Sequence, residues 1–198
     1  APTYDRGEGW TLGSFKINAK NTYINTKRAF SGVNAPNAFI QTSTSSASNP
    51  SVSGPYNHSF SLGYSTGPYV PLLDTSFFGY DLIKLKVEVD PATLDNGDTR
   101  VRENGINIGQ GNSEKMFWSS ASITYPHTFD FEGKSLMDVW IPNSLSSNKQ
   151  SVTISAFNAV TPRLFIVNEG YKELPLVPNG ANWDVVIPNN TINDSIQL

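Results

Sequence analysis

Residues 83–90 read I-K-L-K-V-E-V-D, and this stretch decides the fold. Apolar Ile83, Leu85, Val87 and Val89 alternate there with charged side chains. Because successive side chains of a β-strand point to opposite faces, the alternation predicts a strand with one buried and one solvated face. Antiparallel sheets commonly keep one face in water, so the stretch favours an all-β architecture. We expect the charged face to meet solvent or a polar contact and to protect a sheet edge.

The rest of the chain reads as short alternating segments separated by Gly, Pro, Asn and Ser, and helical periodicity is nearly absent. We count roughly nine to twelve candidate strands, a number typical of sandwiches. The sequence therefore predicts an all-β fold, an antiparallel β-sandwich of the jelly-roll type with little or no helix. One domain over residues 1–198 is expected, since sandwiches of this length are often undivided. A polar, flexible loop near residues 42–54 and a polar surface tail over residues 188–198 complete the prediction.

Several local patterns give finer expectations. In residues 56–64 the side chains of Tyr56, His58 and Phe60 share one strand face, which favours a buried histidine. Asn104-Gly105 predicts a tight hairpin between residues 99–103 and 106–109, because both central residues of a type I′ turn need positive φ. Trp118 and Trp140 lie in apolar surroundings and are expected in the core.

Composition excludes several classes of function. The 198 residues contain no cysteine, which rules out thiolate catalysis, disulfides and cysteine-bound zinc. The net charge is −3 and no dense Lys/Arg cluster occurs, so direct nucleic-acid binding is not expected. No apolar run approaches the ~18 residues of a membrane span. The polar first residues do not resemble a signal peptide. Ala1 fits removal of an initiator Met as well as processing.

The candidate residues for chemistry are few. His58 and His127 are isolated, without a metal-binding pattern, so we expect neither a metal site nor a cofactor. Glycosidases of the β-sandwich class need two facing carboxylates. The pairs Asp130/Glu132 and Glu88/Asp90 could supply them, although a solvated strand face explains each pair more simply.

Two further groups of residues could bind ligands. Asp95 and Asp98 lie in a D-N-G-D segment that could hold calcium, while an ordinary turn is the simpler interpretation. Aromatic rings at strand ends could form an exposed platform that stacks on sugars. The residues of this aromatic platform are Trp10, Trp183, Tyr56 and Tyr69.

Three functions compete on this basis. The first is a non-enzymatic structural protein of a virus particle, a capsid, vertex or spike subunit whose partners are copies of itself or other virion subunits. The second is a carbohydrate-binding module, lectin-like adhesin or receptor-binding domain that recognises glycans. The third is a β-sandwich glycosidase, which rests on the acidic pairs alone. The first two share surface recognition without catalysis, in a virion or extracellular location.

Overall fold

The computed structural model describes residues 12–32, 35–65, 67–158, 162–190 and 195–198. Within them, fifteen β-strands and two short 3₁₀ turns occur and no α-helix, which confirms the all-β prediction. No helix in this described part is long and apolar enough to cross a membrane. The chain divides into two compact units, residues 1–127 and 128–198, which are described separately below. That they behave as one domain stays a prediction.

Unit 1 is built from eight strands in two four-stranded antiparallel sheets. The strands are β1 (Gly13–Phe15), β2 (Ala19–Asn25), β3 (Ala38–Ser46), β4 (His58–Ser65), β5 (Tyr69–Phe77), β6 (Leu82–Val89), β7 (Asp98–Gly105) and β8 (Met116–Thr124). The first sheet has the order β1-β8-β3-β6 and the second the order β2-β7-β4-β5. This confirms the antiparallel sandwich. Consecutive strands cross repeatedly between the sheets, as a jelly roll requires. The jelly-roll assignment itself stays a prediction.

The inner faces of the two sheets form the core of unit 1. The side chains of Trp118, Phe60 and Ile40 are fully buried, and Trp118 therefore lies where the sequence places it. The rings of Phe15 in the first sheet and Phe60 in the second meet edge to face, with centroids 6.2 Å apart. Such aromatic contacts add to the free energy gained by burying apolar area, and here they join the two sheets.

Strand β6 shows the orientation predicted from its alternation. Val89 is buried, and Ile83, Leu85 and Val87 pack against the core, whereas Lys84, Lys86 and Glu88 are exposed. The strand is the last in the first sheet, so its lysines project beside unpaired backbone groups. Charged side chains at that position discourage pairing with a second chain, which is the role predicted for them.

The predicted hairpin at Asn104-Gly105 is wrong. Both residues belong to β7, which pairs with β2 on one side and β4 on the other. Glycine is required there for a different reason: a Cβ atom on Gly105 would lie only 1.8 Å from the carbonyl oxygen of Lys16. The Asn-Gly pair therefore marks a close approach of two backbones and not a turn.

Two segments expected to be polar loop or tail contain strands. Residues 42–46 belong to β3, and Thr42 and Thr44 point into the core, where their hydroxyl groups are buried. The loop that follows covers residues 47–57. At the other end of the chain, β15 (Ser195–Gln197) carries a fully buried Ile196 into the core of unit 2. Because polar residues predominate in these strands, a search of the sequence for alternating apolar residues does not identify them.

Unit 2 contains the remaining strands in three small antiparallel sheets, ordered β10-β14-β13, β11-β12 and β15-β9. Besides β15 these are β9 (Trp140–Pro142), β10 (Lys149–Ile154), β11 (Leu164–Ile166), β12 (Lys172–Leu174), β13 (Leu176–Asn179) and β14 (Asn182–Pro188). Its core centres on Ile166, Ile187 and Ile196. The expectation that Trp140 lies in the core is wrong, since 61% of it is exposed. Strand β9 turns Ile141 inward instead, which sends its neighbours outward.

Candidate functional site

A buried chain of polar side chains around His58 has the residue types of a hydrolase triad. His58 Nε2 lies 2.9 Å from Ser46 Oγ, and His58 Nδ1 lies 3.4 Å from Glu114 Oε1. In a serine hydrolase the histidine takes the proton of an accessible nucleophile. Here the Ser46 hydroxyl donates at 2.6 Å to the carbonyl oxygen of Ser48, and that proton is therefore committed to the backbone.

The surroundings of His58 assign it a structural role. Its ring is fully buried and stacks on Phe77 at 4.8 Å, so no substrate reaches it. Burial lowers the pKa of His58 and raises the pKa of Glu114. His58 Nε2 lies 3.0 Å from the carbonyl oxygen of Ser48, which can only accept a hydrogen bond. The network therefore fastens the start of the 47–57 loop to the sandwich, and the prediction of a buried histidine is confirmed.

The same loop is held at its other end by Asn57, which is almost fully buried. Its side-chain amide donates to the carbonyl oxygen of Pro50 at 3.2 Å, and its Oδ1 accepts from the backbone N–H of Gly79 at 2.8 Å. Buried polar groups are satisfied in this way when a loop folds back over a sheet end. The loop is thus tied at several points, while its predicted flexibility stays a prediction.

The outer face of the first sheet carries a shallow groove of about 280 Å³. We call it the polar groove and define it by six outward side chains. They are Gln41, Ser43, Lys84, Lys86, Ser120 and Ser122. Strand register sets them in two rows across β6, β3 and β8: Lys86, Gln41 and Ser122 form one row, and Lys84, Ser43 and Ser120 form the other.

An aromatic ring lies beyond each end of the polar groove. Phe39 is two residues before Gln41 on β3, and Phe117 is the register partner of Ser45 on β8. Both rings are half-buried and each has a lysine above it: Lys86 Nζ is 4.2 Å from the Phe39 centroid and Lys115 Nζ is 5.3 Å from that of Phe117. From Phe39 to Ser45 the strand rises about 20 Å. The face therefore has hydroxyl and amide groups in its middle and apolar rings at its ends.

The polar groove has a positive rim. Lys84 and Lys86 project from the edge strand, and among the described residues neither forms an ion pair within 4.0 Å. Gln41 brings an amide that can both donate and accept, and the serines bring hydroxyl groups that can do the same. Such a set hydrogen-bonds to hydroxyl-rich ligands of either neutral or weakly acidic character.

The four residues of the predicted aromatic platform fall in different places. Trp10 lies outside the described residues. Trp183 belongs to unit 2, where it is half-buried against the core. Tyr56 is 50% exposed and precedes one end of β4, whereas Tyr69 pairs with Ser65 at the other end. The length of β4 separates these tyrosines by roughly 25 Å, so the structure does not bring them together.

The calcium candidates are engaged in a turn. Thr26 Oγ1 donates to the carbonyl oxygen of Asp95 at 2.7 Å, and Asn25 Nδ2 donates to Asp98 Oδ1 at 3.4 Å. Within the part of the chain that the structure describes, no group of three or more His, Asp or Glu side chains could hold a metal ion. The Asp95 N–H also donates to Thr99 Oγ1 at 2.9 Å, so the segment is held by hydrogen bonds of the kind that Asp, Asn and Thr make in turns.

The acidic pairs have local hydrogen bonds of their own. Asp130 Oδ1 accepts from the backbone N–H of Glu132 at 2.9 Å, within one turn. Asp90 Oδ1 accepts from the backbone N–H of Ala92 at 2.8 Å and caps a 3₁₀ turn, while Glu88 accepts from Asn37. These contacts are typical of turn and strand-end carboxylates.

Sequence reasoning missed the polar groove because its residues come from three strands that are distant in sequence. A Gln, a Ser and a Lys are unremarkable singly, and only the sheet register places them side by side. The available signal was the outer face of residues 39–45, where Gln41, Ser43 and Ser45 alternate with inward residues and the first two line the groove. Assigning residues 42–54 to a loop concealed the second half of this signal.

No family model matches the sequence, and no match is found among curated proteins. A solved structure with a similar fold is the dimeric latent PorU from Porphyromonas gingivalis, with a TM-score of 0.62 and 12% identity. The alignment covers 94% of this chain and only 18% of the PorU chain. At this identity the likeness shows the fold alone. A structure described as "CBM4 structure and function" aligns over 57% of this chain and 80% of its own, with 12% identity and a TM-score of 0.33, too low to support an argument.

Proposed function

We propose that this chain is a non-enzymatic recognition module that binds a glycan along the polar groove. The observation that carries the proposal is the groove's arrangement, two rows of hydroxyl, amide and ammonium groups between Phe39 and Phe117 on an open sheet face. Sugars offer hydroxyl groups for hydrogen bonds and apolar ring faces for aromatic contact. A pocket for them combines a few convergent polar groups with aromatic side chains.

The dimensions of the groove favour an oligosaccharide over a single sugar. The polar rows and the two rings extend over about 20 Å of strand. A chain that lies parallel to β3 would place sugar faces on Phe39 and Phe117 and direct hydroxyl groups to Gln41 and Ser43. Lys86 and Lys115 lie over these rings in cation–π contact, so a stacking sugar would displace their ammonium groups, which would then donate to sugar oxygens.

Isothermal titration with a panel of oligosaccharides tests the proposal, after a glycan array has selected binders. We expect Phe39→Ala and Gln41→Ala each to weaken binding about fivefold or more, since an aromatic contact or a hydrogen bond contributes on the order of 1 kcal/mol or above. Tyr80→Ala is the matched control, because Tyr80 is 72% exposed and lies outside the groove. Array binding at background level, or equal losses in all three variants, would contradict a glycan site at this groove.

The absence of catalysis is part of the proposal. It is supported by the enclosed position of His58, by the commitment of the Ser46 hydroxyl to the Ser48 carbonyl and by the local use of the acidic pairs. Incubating the binding oligosaccharide with the protein and separating the products tests this point. Cleavage that disappears in a Glu132→Gln or Glu88→Gln variant would revive the glycosidase alternative.

The virion subunit stays a prediction, and so does a virion or extracellular location. A fold does not fix a function, and the sandwich is shared by many binding and structural proteins. A capsid or vertex role requires symmetric self-association. Sedimentation velocity of the purified chain over a wide concentration range measures it. A monomer at every concentration would contradict the assembly role and leave the glycan proposal untouched.

A further inference from the structure

The outer face of the second sheet presents two arginines side by side. Arg100 and Arg102 alternate on β7 with Val101 and Glu103, and the latter two are fully buried on the inner face. Because side chains alternate along a strand, both arginines point outward, about 7 Å apart. Strand β7 lies inside the sheet, between β2 and β4, so the arginines stand in the middle of the face and not at its edge.

Neighbouring side chains hold both guanidinium groups in place. Arg100 Nη2 donates to Ser65 Oγ at 2.8 Å, and the Arg102 guanidinium lies 4.9 Å from the ring centroid of Tyr69. Gly63 makes room for that ring, since a Cβ atom there would be 2.5 Å from it. We call Arg100, Arg102 and these supporting side chains the arginine face. Its guanidinium groups are oriented before any ligand arrives, which lowers the entropic cost of binding.

The charge of the arginine face is uncompensated. The Nε atoms of Arg100 and Arg102 are buried without a hydrogen-bond partner. Among the described residues, no carboxylate lies within 4.0 Å of either guanidinium. Half-buried cations are normally paired, because removing them from water costs free energy. A bound anion would offset that cost: the Nε atoms are enclosed, but the Nη groups of a guanidinium can donate to two oxygens of a carboxylate, sulfate or phosphate.

The surroundings restrict the size of the anion. The side chain of Asp98 points outward on β7, two residues before Arg100. Asp74 on β5 is the register partner of Ser61 on the adjacent strand β4. These carboxylates would repel an extended polyanion that ran across the sheet, so the face suits one compact anionic group. Tyr23, the register partner of Arg100 on β2, is 64% exposed and offers an aromatic surface beside it. An aromatic ring next to an anion site suits a ligand with an apolar face.

We propose that the arginine face binds an acidic sugar, with its carboxylate or sulfate on Arg100 and Arg102 and its ring against Tyr23. This site is independent of the polar groove, because it uses the other sheet of unit 1. A ligand for this site needs both a negative charge and a saccharide ring. Neutral sugars lack the charge, and inorganic anions lack the ring.

Nuclear magnetic resonance titration of the ¹⁵N-labelled full chain tests the proposal with glucuronic acid and galactose 6-sulfate as probes. Glucose, galactose and inorganic sulfate are the matched controls. We expect the acidic sugars to shift the β7 amides, and added salt to weaken binding by screening. Arg102→Gln and Arg100→Gln should each weaken binding about tenfold or more, and Tyr23→Ala to a smaller extent.

Two further variants separate recognition from folding. Arg102→Lys keeps the charge and loses the fork, so it should bind with intermediate affinity. Lys149→Gln, which removes one exposed positive charge in unit 2 and lies in neither proposed site, should leave acidic-sugar binding unchanged. Equal binding of neutral sugars, equal binding of inorganic sulfate, or unaltered affinity in well-folded Arg102→Gln would each overturn the proposal. Because Phe39→Ala and Gln41→Ala report on the polar groove alone, failure here is distinguishable from failure there.

Discussion

Glu103 is a buried acidic group in unit 1, and its negative charge is costly. Its side chain is fully buried between the sheets, where Thr44 Oγ1 donates to Oε2 at 2.6 Å and Oε1 has no partner. Burial raises the pKa of Glu103 to about 7, and the bond from Thr44 offsets part of that rise. The folded state therefore binds this proton more tightly than the unfolded chain does. The resulting stability is complete below the unfolded pKa of 4.5 and is lost as the pH rises through about 7.

We expect Glu103→Gln to be more stable than the native chain by about 3 kcal/mol near pH 8, and nearly equal to it near pH 4. The amide removes the cost of a buried charge and keeps the bond from Thr44. Urea unfolding at a series of pH values measures the difference. Glu88→Gln is the control, because it also removes one carboxylate, at an exposed position on the other sheet. A constant difference between Glu103→Gln and native across this range would contradict the raised pKa.

The contact between His58 and Glu114 makes a second prediction at the same scale. His58 Nε2 faces the Ser48 carbonyl and therefore carries hydrogen, so a neutral ring offers Nδ1 as an acceptor to Glu114. Nδ1 has no hydrogen-bond partner, and burial raises the pKa of Glu114 and lowers the pKa of His58, which favours the uncharged form of both groups. A glutamine amide is uncharged and keeps an oxygen that can accept from the Gln110 side chain.

We therefore expect Glu114→Gln to unfold within about 1 kcal/mol of the native chain, and Glu114→Ala to lose about 2–3 kcal/mol, since it removes the carboxyl oxygens that accept from the Gln110 amide and the Ser59 N–H. Hydrogen exchange should also speed up in the 47–57 loop of Glu114→Ala. Chemical denaturation near neutral pH measures the first effect. Equal destabilisation in both variants would contradict this prediction, because it would mean that the negative charge of Glu114, and not its hydrogen-bonding shape, stabilises the fold.

Among the elements, β6 and β7 show what local patterns can and cannot reveal. The alternation of Ile83, Leu85 and Val87 determines a strand and its buried face, because burial on one side is a local property of a strand. The Asn104-Gly105 pair led to a wrong hairpin prediction, because a glycine is favoured both in a tight turn and where two backbones approach closely. Only the tertiary position of Lys16 distinguishes the two.

Gly105→Ala tests that explanation. Its Cβ would lie 1.8 Å from the Lys16 carbonyl oxygen, so the end of β7 or the segment before β2 must move. We expect a loss of about 1–3 kcal/mol, the usual cost of overpacking. Gly67→Ala is the matched control, since its Cβ meets no atom within 4 Å and should change stability little. Thermal unfolding followed by circular dichroism compares them. Equal melting temperatures for the two variants would exclude a tight contact at Gly105.

The binding surfaces could be foreseen only in part. Arg100 and Arg102 are visible in the sequence as an R-V-R alternation, but their neighbours Tyr23 and Ser65 come from strands paired over long distances in the chain. Their register is set by how the two sheets pack, which no local pattern encodes. The aromatic platform was predicted from rings at strand ends, but the sequence does not show which strand ends lie close together. Tyr56 precedes the first residue of β4, whereas Tyr69 pairs with Ser65 at its other end.

At the scale of the whole molecule, each unit has a core of its own. One core centres on residues such as Leu62 and Trp118, and the other on residues such as Ile187 and Ile166. Units with separate cores can unfold in separate transitions, whereas a single cooperative domain unfolds in one. The sequence-based prediction of one domain and the division into two compact units thus lead to different calorimetric results.

We expect differential scanning calorimetry of the full chain to resolve two transitions. Leu62→Ala should lower the midpoint of one and Ile187→Ala that of the other, because truncating a buried aliphatic side chain costs about 2–5 kcal/mol in the unit that holds it. An exposed aliphatic residue supplies the control: Leu145→Ala, at a fully exposed position, should shift neither transition. If both core variants lower a single shared midpoint, the two units unfold as one cooperative domain. In that case a ligand on either sheet of unit 1 would also stabilise unit 2, through the shared unfolding equilibrium.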